Sequence, residues 1–272
     1  MLYCPKMSDP REPLSLRIAS VGVRIETPRL ASYSRELRAM FGAFVKKPQA
    51  SDWKIRLRPL RRLGNAKTPS VVQAGRKVRL AWSRFEGLLD WQTRSGTVFV
   101  HSSAVVGTFL RAFLSHVLSR RGGFLLHGAG VTSRGGAYVF PGVSGAGKST
   151  FSRQWPAEQI LSDEIVAVVK RGGRWTAYGT PFDGDVRGGR NESGPLKGIL
   201  FLEKARRWAK KPVDRRDAAR KLLRCVLSFE AKTDVFDRLL GLVDDVTAAA
   251  PAHALSFSRT SRDAARSELL CR

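Results

Sequence analysis

Apolar and polar positions alternate through residues 14–25, Leu-Ser-Leu-Arg-Ile-Ala-Ser-Val-Gly-Val-Arg-Ile, with the two-residue period of a strand that stops near Thr27-Pro28. Alternation returns at 53–58, and strand-like runs recur at 78–82 and 97–100. Between them Leu37, Met40, Phe41 and Phe44 stand at helical spacing within 30–45, which predicts a short amphipathic helix. Residues 1–103 therefore read as an antiparallel, β-rich module with one helix. The pattern then changes. Phe109, Leu110, Phe113, Leu114, Val117 and Leu118 predict a helix over 104–119, stopped by Arg120-Arg121 and Gly122-Gly123. Strands are expected at 124–131, 137–140, 159–164 and 195–202, with a hairpin of 165–170 and 174–178 about Gly172-Gly173. Helices are expected at 213–231 and 234–249, a short strand at 255–257 and a last helix at 261–270. The expected fold class is α/β (α+β), with an N-terminal module of 1–103 and a larger domain of 104–272.

One glycine-rich turn changes the picture from fold to chemistry. Residues 142–149, Gly142-Val143-Ser144-Gly145-Ala146-Gly147-Lys148-Ser149, fit the phosphate-binding pattern G-x-x-x-x-G-K-[ST]. The apolar run 137–140 precedes it, and Thr150-Phe151-Ser152-Arg153-Gln154-Trp155 follows as a short helix stopped by Pro156. Glycines let backbone N–H groups turn inward on phosphates, and a helix start adds partial positive charge. In such a loop Lys148 reaches the β- and γ-phosphates and the Ser149 hydroxyl is a magnesium ligand. The expected nucleotide contacts are Gly142, Ser144, Gly145, Ala146, Gly147, Lys148, Ser149 and Thr150.

Transfer or hydrolysis also needs carboxylates. Asp163 and Glu164 close an apolar run shortly after the loop, where an acid that holds magnesium or orients an acceptor hydroxyl belongs. The stretch 179–190 (Gly-Thr-Pro-Phe-Asp-Gly-Asp-Val-Arg-Gly-Gly-Arg) is rich in acids and bases for a connector. Within it Asp185 is a candidate second metal ligand, and Arg187 or Arg190 a candidate neutraliser of phosphate charge. His127 ends a strand one element before the loop; its spacing alone suits a structural role as well as a catalytic one.

Bulk composition narrows the setting. The 272 residues carry a formal charge of +25, mostly from arginine spread along the chain. Such a charge attracts polyanions, so an acidic acceptor fits, and nucleic acid is a weaker candidate because the basic patches lack interleaved aromatics. Three widely separated cysteines, Cys4, Cys225 and Cys271, form neither a metal cluster nor a disulfide framework. No apolar stretch is long enough to span a membrane, and a cytoplasmic setting is expected. Oligomerisation is left open by the sequence.

Taken in order, Leu126-His127-Gly128, the 142–149 loop and Leu161-Ser162-Asp163-Glu164 resemble the catalytic domain of the HPr kinase/phosphorylase family. The nearest likeness is to its shorter serine-kinase relatives in peptide-modification clusters, including lasso-peptide kinases. It covers roughly 104–270. The resemblance implies a P-loop kinase fold of the HPr kinase/phosphoenolpyruvate carboxykinase type, with ATP and Mg²⁺ as cofactors and a serine acceptor on a peptide or small protein. It carries the family's histidine onto His127, and the loop lysine and metal-binding serine onto Lys148 and Ser149. The family's aspartate pair falls on Asp163-Glu164, with glutamate in second place; the aspartate that takes the serine proton corresponds most naturally to Asp163, which is also a metal candidate. The family's Glu-x-Arg-Gly stretch matches Asp185-Val186-Arg187-Gly188 with a shorter acid. No match is found for the segment that serves phosphorolysis, which implies a one-way kinase. Two other readings stand beside it: a P-loop ATPase driving a conformational step, and a non-catalytic nucleotide- or nucleic-acid-binding module.

Overall fold

A computed structural model describes residues 12–27, 31–50, 52–133, 135–142, 145, 147–152, 154–182, 189–205 and 208–257. The fold is mixed α/β with two sheets. The chain divides into two compact units, Met1–Ala112 and Phe113–Arg272. The division falls inside a helix, α2 (Val105–Ser119), rather than in the loop ahead of it at 103 and 104.

The first unit holds one seven-stranded sheet. Its strands are β1 (Leu14–Ile18), β2 (Val21–Glu26), β3 (Trp53–Pro59), β4 (Ser70–Ala74), β5 (Lys77–Trp82), β6 (Phe85–Asp90) and β7 (Ser95–Val100), in the order β1-β2-β3-β7-β6-β5-β4. The alternation at 14–25 is two strands. Ala19 (φ 47°) and Ser20 (φ 70°) both take left-handed conformations and reverse the chain between them. Helix α1 (Ala31–Phe41) carries the chain from β2 to β3, which run parallel.

The second unit is built on β8 (Gly123–Ser133), β9 (Gly136–Pro141), β10 (Ile160–Ser162), β11 (Ile165–Arg171), β12 (Arg174–Tyr178), β13 (Ser193–Lys204), β14 (Ala209–Pro212), β15 (Val226–Leu227) and β16 (Ala252–Phe257). Its helices are α3 (Lys148–Ser152), α4 (Arg215–Leu223) and α5 (Thr233–Ala249). β9, β13 and β16 are parallel neighbours. Their side chains alternate between two cores, as a sheet covered on both faces requires. Val139, Ile199 and Ala252 face a core shared with Leu222 of α4 and Val243 of α5. Phe140, Leu200 and Phe257 face a second core, where Phe151 of α3 sits with ring centroids 4.8 Å from Phe140 and 5.3 Å from Phe257.

Helix α4 is capped by Asp214, whose side chain accepts from the Asp217 amide at 3.0 Å. It ends at Leu223, well short of the expected 231. Val226 and Leu227 pair instead with Leu126 and Leu125 of β8. Those two residues are fully buried, so an open strand edge beside them would leave backbone groups without partners, and pairing overrides the local helical pattern. The helix expected at 261–270 lies outside the described residues.

A buried ion network ties α2 to the loop before α5. Arg120 donates to both Glu230 carboxylate oxygens, at 2.9 and 3.0 Å, and His116 Nδ1 lies 2.9 Å from the same group. Burial raises the Glu230 pKa, but hydrogen bonds and charge from His116 and Arg120 outweigh it and hold the carboxyl at about 2 against a usual 4.5. His116 moves down because burial disfavours its charged form, an effect that Glu230 opposes and Arg120 and Arg238 reinforce. Both groups bind protons more readily in the unfolded chain. Stability from Glu230 is therefore complete above pH 4.5 and is lost as pH falls toward 2, with His116 adding a loss in the same direction below 6.5. Glu230→Ala should cost about 3–5 kcal/mol at neutral pH by removing the buried carboxylate that Arg120 and His116 share. Urea denaturation at pH 7 and pH 3 checks this, with the difference between variant and parent shrinking at the lower pH.

Candidate functional site

Strand β8 changes neighbours at His127-Gly128. Up to His127 it lies beside β11, with β15 against 125 and 126; from Gly128 onward it lies beside β9, and β10 joins at 130 and 131. Three segments meet there through backbone hydrogen bonds. The His127 amide donates to the Cys225 carbonyl at 2.7 Å, the Gly142 amide donates to the His127 carbonyl at 3.2 Å, and the Gly128 amide donates to the Glu164 carbonyl at 2.9 Å. Gly128 owes its identity to this crowding: a Cβ there would lie 2.8 Å from the Phe140 carbonyl oxygen. The start of the glycine loop and the acidic pair are thus fixed to two consecutive residues of one strand.

β10 and β11 follow one another as an interrupted partner strand of β8, with Ile160 opposite Val131 and Ile165 opposite His127. Asp163 and Glu164 occupy the interruption. Ser162 shapes it: its hydroxyl accepts from the amides of Glu164 (3.3 Å) and Ile165 (3.2 Å) and donates to the Phe182 carbonyl (3.5 Å). Thr180 braces the other side, donating to the Ile165 carbonyl at 2.5 Å and accepting from the Phe182 amide at 3.4 Å. The Arg190 amide donates to the Leu161 carbonyl at 3.0 Å, so both ends of the 179–190 stretch are held at this kink.

Lys148 completes the cluster. Its side chain is buried, and Nζ donates to the Gly142 carbonyl at 2.7 Å. Burial pushes its pKa below the usual lysine value, an effect opposed by Cys225, Glu164 and Asp163 nearby. Burial also pushes the Cys225 thiol up. Asp163 is only 2% exposed, and of these three neighbours it acts least on Lys148. Helix α3 has five residues, beginning at Lys148 rather than 150, so its dipole is small.

Of the residues singled out in the sequence, His127, Gly142, Lys148, Asp163 and Glu164 are brought together. Gly145 and Gly147 take positive φ, 83° and 94°, and Thr150 lies in α3. Ser149 lies in α3 with its side chain outside the description; Ser144, Ala146, Asp185 and Arg187 lie outside the described residues. The sequence reading missed Ser162 and Thr180 as builders of the kink and Cys225 as a neighbour of Lys148. A hydroxyl residue just before an acidic pair was the available signal for Ser162; Cys225 is distant in sequence and had none. Among the described residues no three His, Cys, Asp or Glu side chains converge as a metal cluster. No helix there is long and apolar enough to cross a membrane.

Neither the protein-family models nor the curated proteins include a match to this chain.

Proposed function

We propose that the chain is an ATP-dependent kinase that moves the γ-phosphoryl group to a hydroxyl, a serine of a peptide or small protein being the best-fitting acceptor. The observation that carries this reading is the placement of a buried carboxylate, Asp163, beside the lysine of the glycine loop. A loop that only held nucleotide would need Lys148 and the backbone amides but no buried acid at a built kink. The parallel strands β9, β13 and β16, with the loop leaving the end of β9, support a P-loop kinase fold of the HPr kinase type.

In this reading the amides of 142–149 and the Lys148 ammonium bind the polyphosphate, with Lys148 giving up part of its bond to the Gly142 carbonyl. Asp163 accepts the hydroxyl proton as the acceptor oxygen bonds to the γ-phosphorus, and the bond to the β–γ bridging oxygen breaks to release ADP. Glu164 and His127 flank the acid and orient the acceptor. The hard oxygen donors of Asp163 suit Mg²⁺, which takes one or two protein carboxylates and fills its shell with water and phosphate oxygens. Ser149 and Asp185 are the other proposed ligands, and Arg187 a phosphate partner. Bound Mg²⁺ would supply shielding of the β- and γ-phosphate charge. The net charge of +25 suits an acidic acceptor, and cytoplasmic ATP suits the reaction.

The test is γ-labelled ATP with a panel of acidic serine-containing peptides, followed by intact-mass analysis. An added phosphate on peptide supports the kinase. Label confined to free phosphate favours an ATPase, and salt-sensitive binding of RNA or DNA without transfer favours a binding module.

A further inference from the structure

The three parallel strands bring their carboxyl ends to one edge, and two of them reach the glycine loop. Lys204, the last residue of β13, is in register with Phe257, the last of β16. A Cβ added to Gly147, whose φ is +94°, would lie 2.8 Å from the Phe257 ring and 3.8 Å from Lys204 Cε. The Lys204 stem therefore stands against the residue that precedes Lys148. Lys204 itself is exposed, and among the described residues it makes no ion pair.

Charge gives this placement a purpose. Lys148 faces two carboxylates, Asp163 and Glu164, and already donates to the Gly142 carbonyl. Two carboxylates beside the loop lysine oppose the binding of a polyphosphate, so a further cation near the loop favours it. We infer that Lys204 is a second phosphate-binding cation of the nucleotide site, contacting the polyphosphate from beside Gly147. The inference rests on nucleotide binding at 142–149. Phe257 fills the apolar side of the contact and offers the ammonium no competing acceptor.

Titration calorimetry of the full chain with ATP, ADP and AMP tests it, on the wild type, Lys204→Gln and Lys204→Arg. Lys204→Gln should weaken ATP and ADP about ten-fold, as expected for one charge-assisted contact, and leave AMP within about two-fold. Lys204→Arg should recover most of the loss, and the salt dependence of ATP binding should be shallower in Lys204→Gln. Unchanged thermal midpoints, expected at an exposed position, would assign these effects to the ligand. The inference is overturned if wild type binds ATP and Lys204→Gln binds ADP equally well. It is also overturned if AMP weakens as much as ADP, which would place the lysine at the base or ribose. A wild type with no affinity for ATP would remove the proposed function, and the inference with it.

Discussion

Asp163→Asn should lower kcat for phosphoryl transfer by about 10²–10⁴-fold while ATP affinity stays within a few-fold of wild type. The substitution keeps the size and hydrogen-bonding reach of the side chain, so the Ser162 and Thr180 bonds that hold the kink should survive. What it removes is a proton acceptor and one of the two negative charges beside Lys148. A split between kcat and Kd of this kind separates a proton-accepting role from a merely structural one. Single-turnover kinetics with labelled ATP, paired with calorimetry, provides both readouts. Turnover within a few-fold of wild type would move the base to Glu164 or His127.

Lys148→Met should weaken ATP by about 100-fold or more and leave thermal stability unchanged or higher. The two effects share one cause. A buried ammonium is carried into the fold at a cost that Met does not share, and the bond to the Gly142 carbonyl recovers only part of it. Because burial lowers the Lys148 pKa, the charged form is less favoured in the folded protein than in the unfolded chain. Its cost to stability is full below the folded pKa and disappears as pH rises from that value toward 10.5. Affinity for ATP should run the other way, falling as pH rises through the same lowered pKa. A calorimetric titration series at alkaline pH, set against melting midpoints in the same buffers, measures both slopes.

Much of the framework was written in local pattern. The helix at 105–119 and the hairpin of 165–171 with 174–178 follow directly from periodicity and from glycines at the turn. The 14–25 stretch misled because Ala19-Ser20 lacks the usual residues of a tight reversal, and the register of alternation hardly changes across it. The end of α4 was hidden for a different reason: the partner that draws Val226 and Leu227 into a strand lies a hundred residues earlier. The same division holds for the candidate site. Lys148 and Asp163-Glu164 announce themselves by motif and by position at a strand end. Ser162, Thr180, Cys225 and Lys204 matter through contacts that only tertiary structure supplies.

The paired edges of β8 have a consequence for time rather than for geometry. Two central amides of this strand, those of His127 and Gly128, are held by bonds to two separate stretches of chain, at Cys225 and Glu164, and Leu125 and Leu126 beside them are fully buried. Such amides exchange with solvent only when the whole unit opens. In hydrogen–deuterium exchange they should be among the last protons to leave, close to the rate set by global unfolding. The working geometry and the fold would then be lost together. A variant weakened outside the candidate site, at Glu230 for instance, would give fewer folded molecules, each with the site geometry intact.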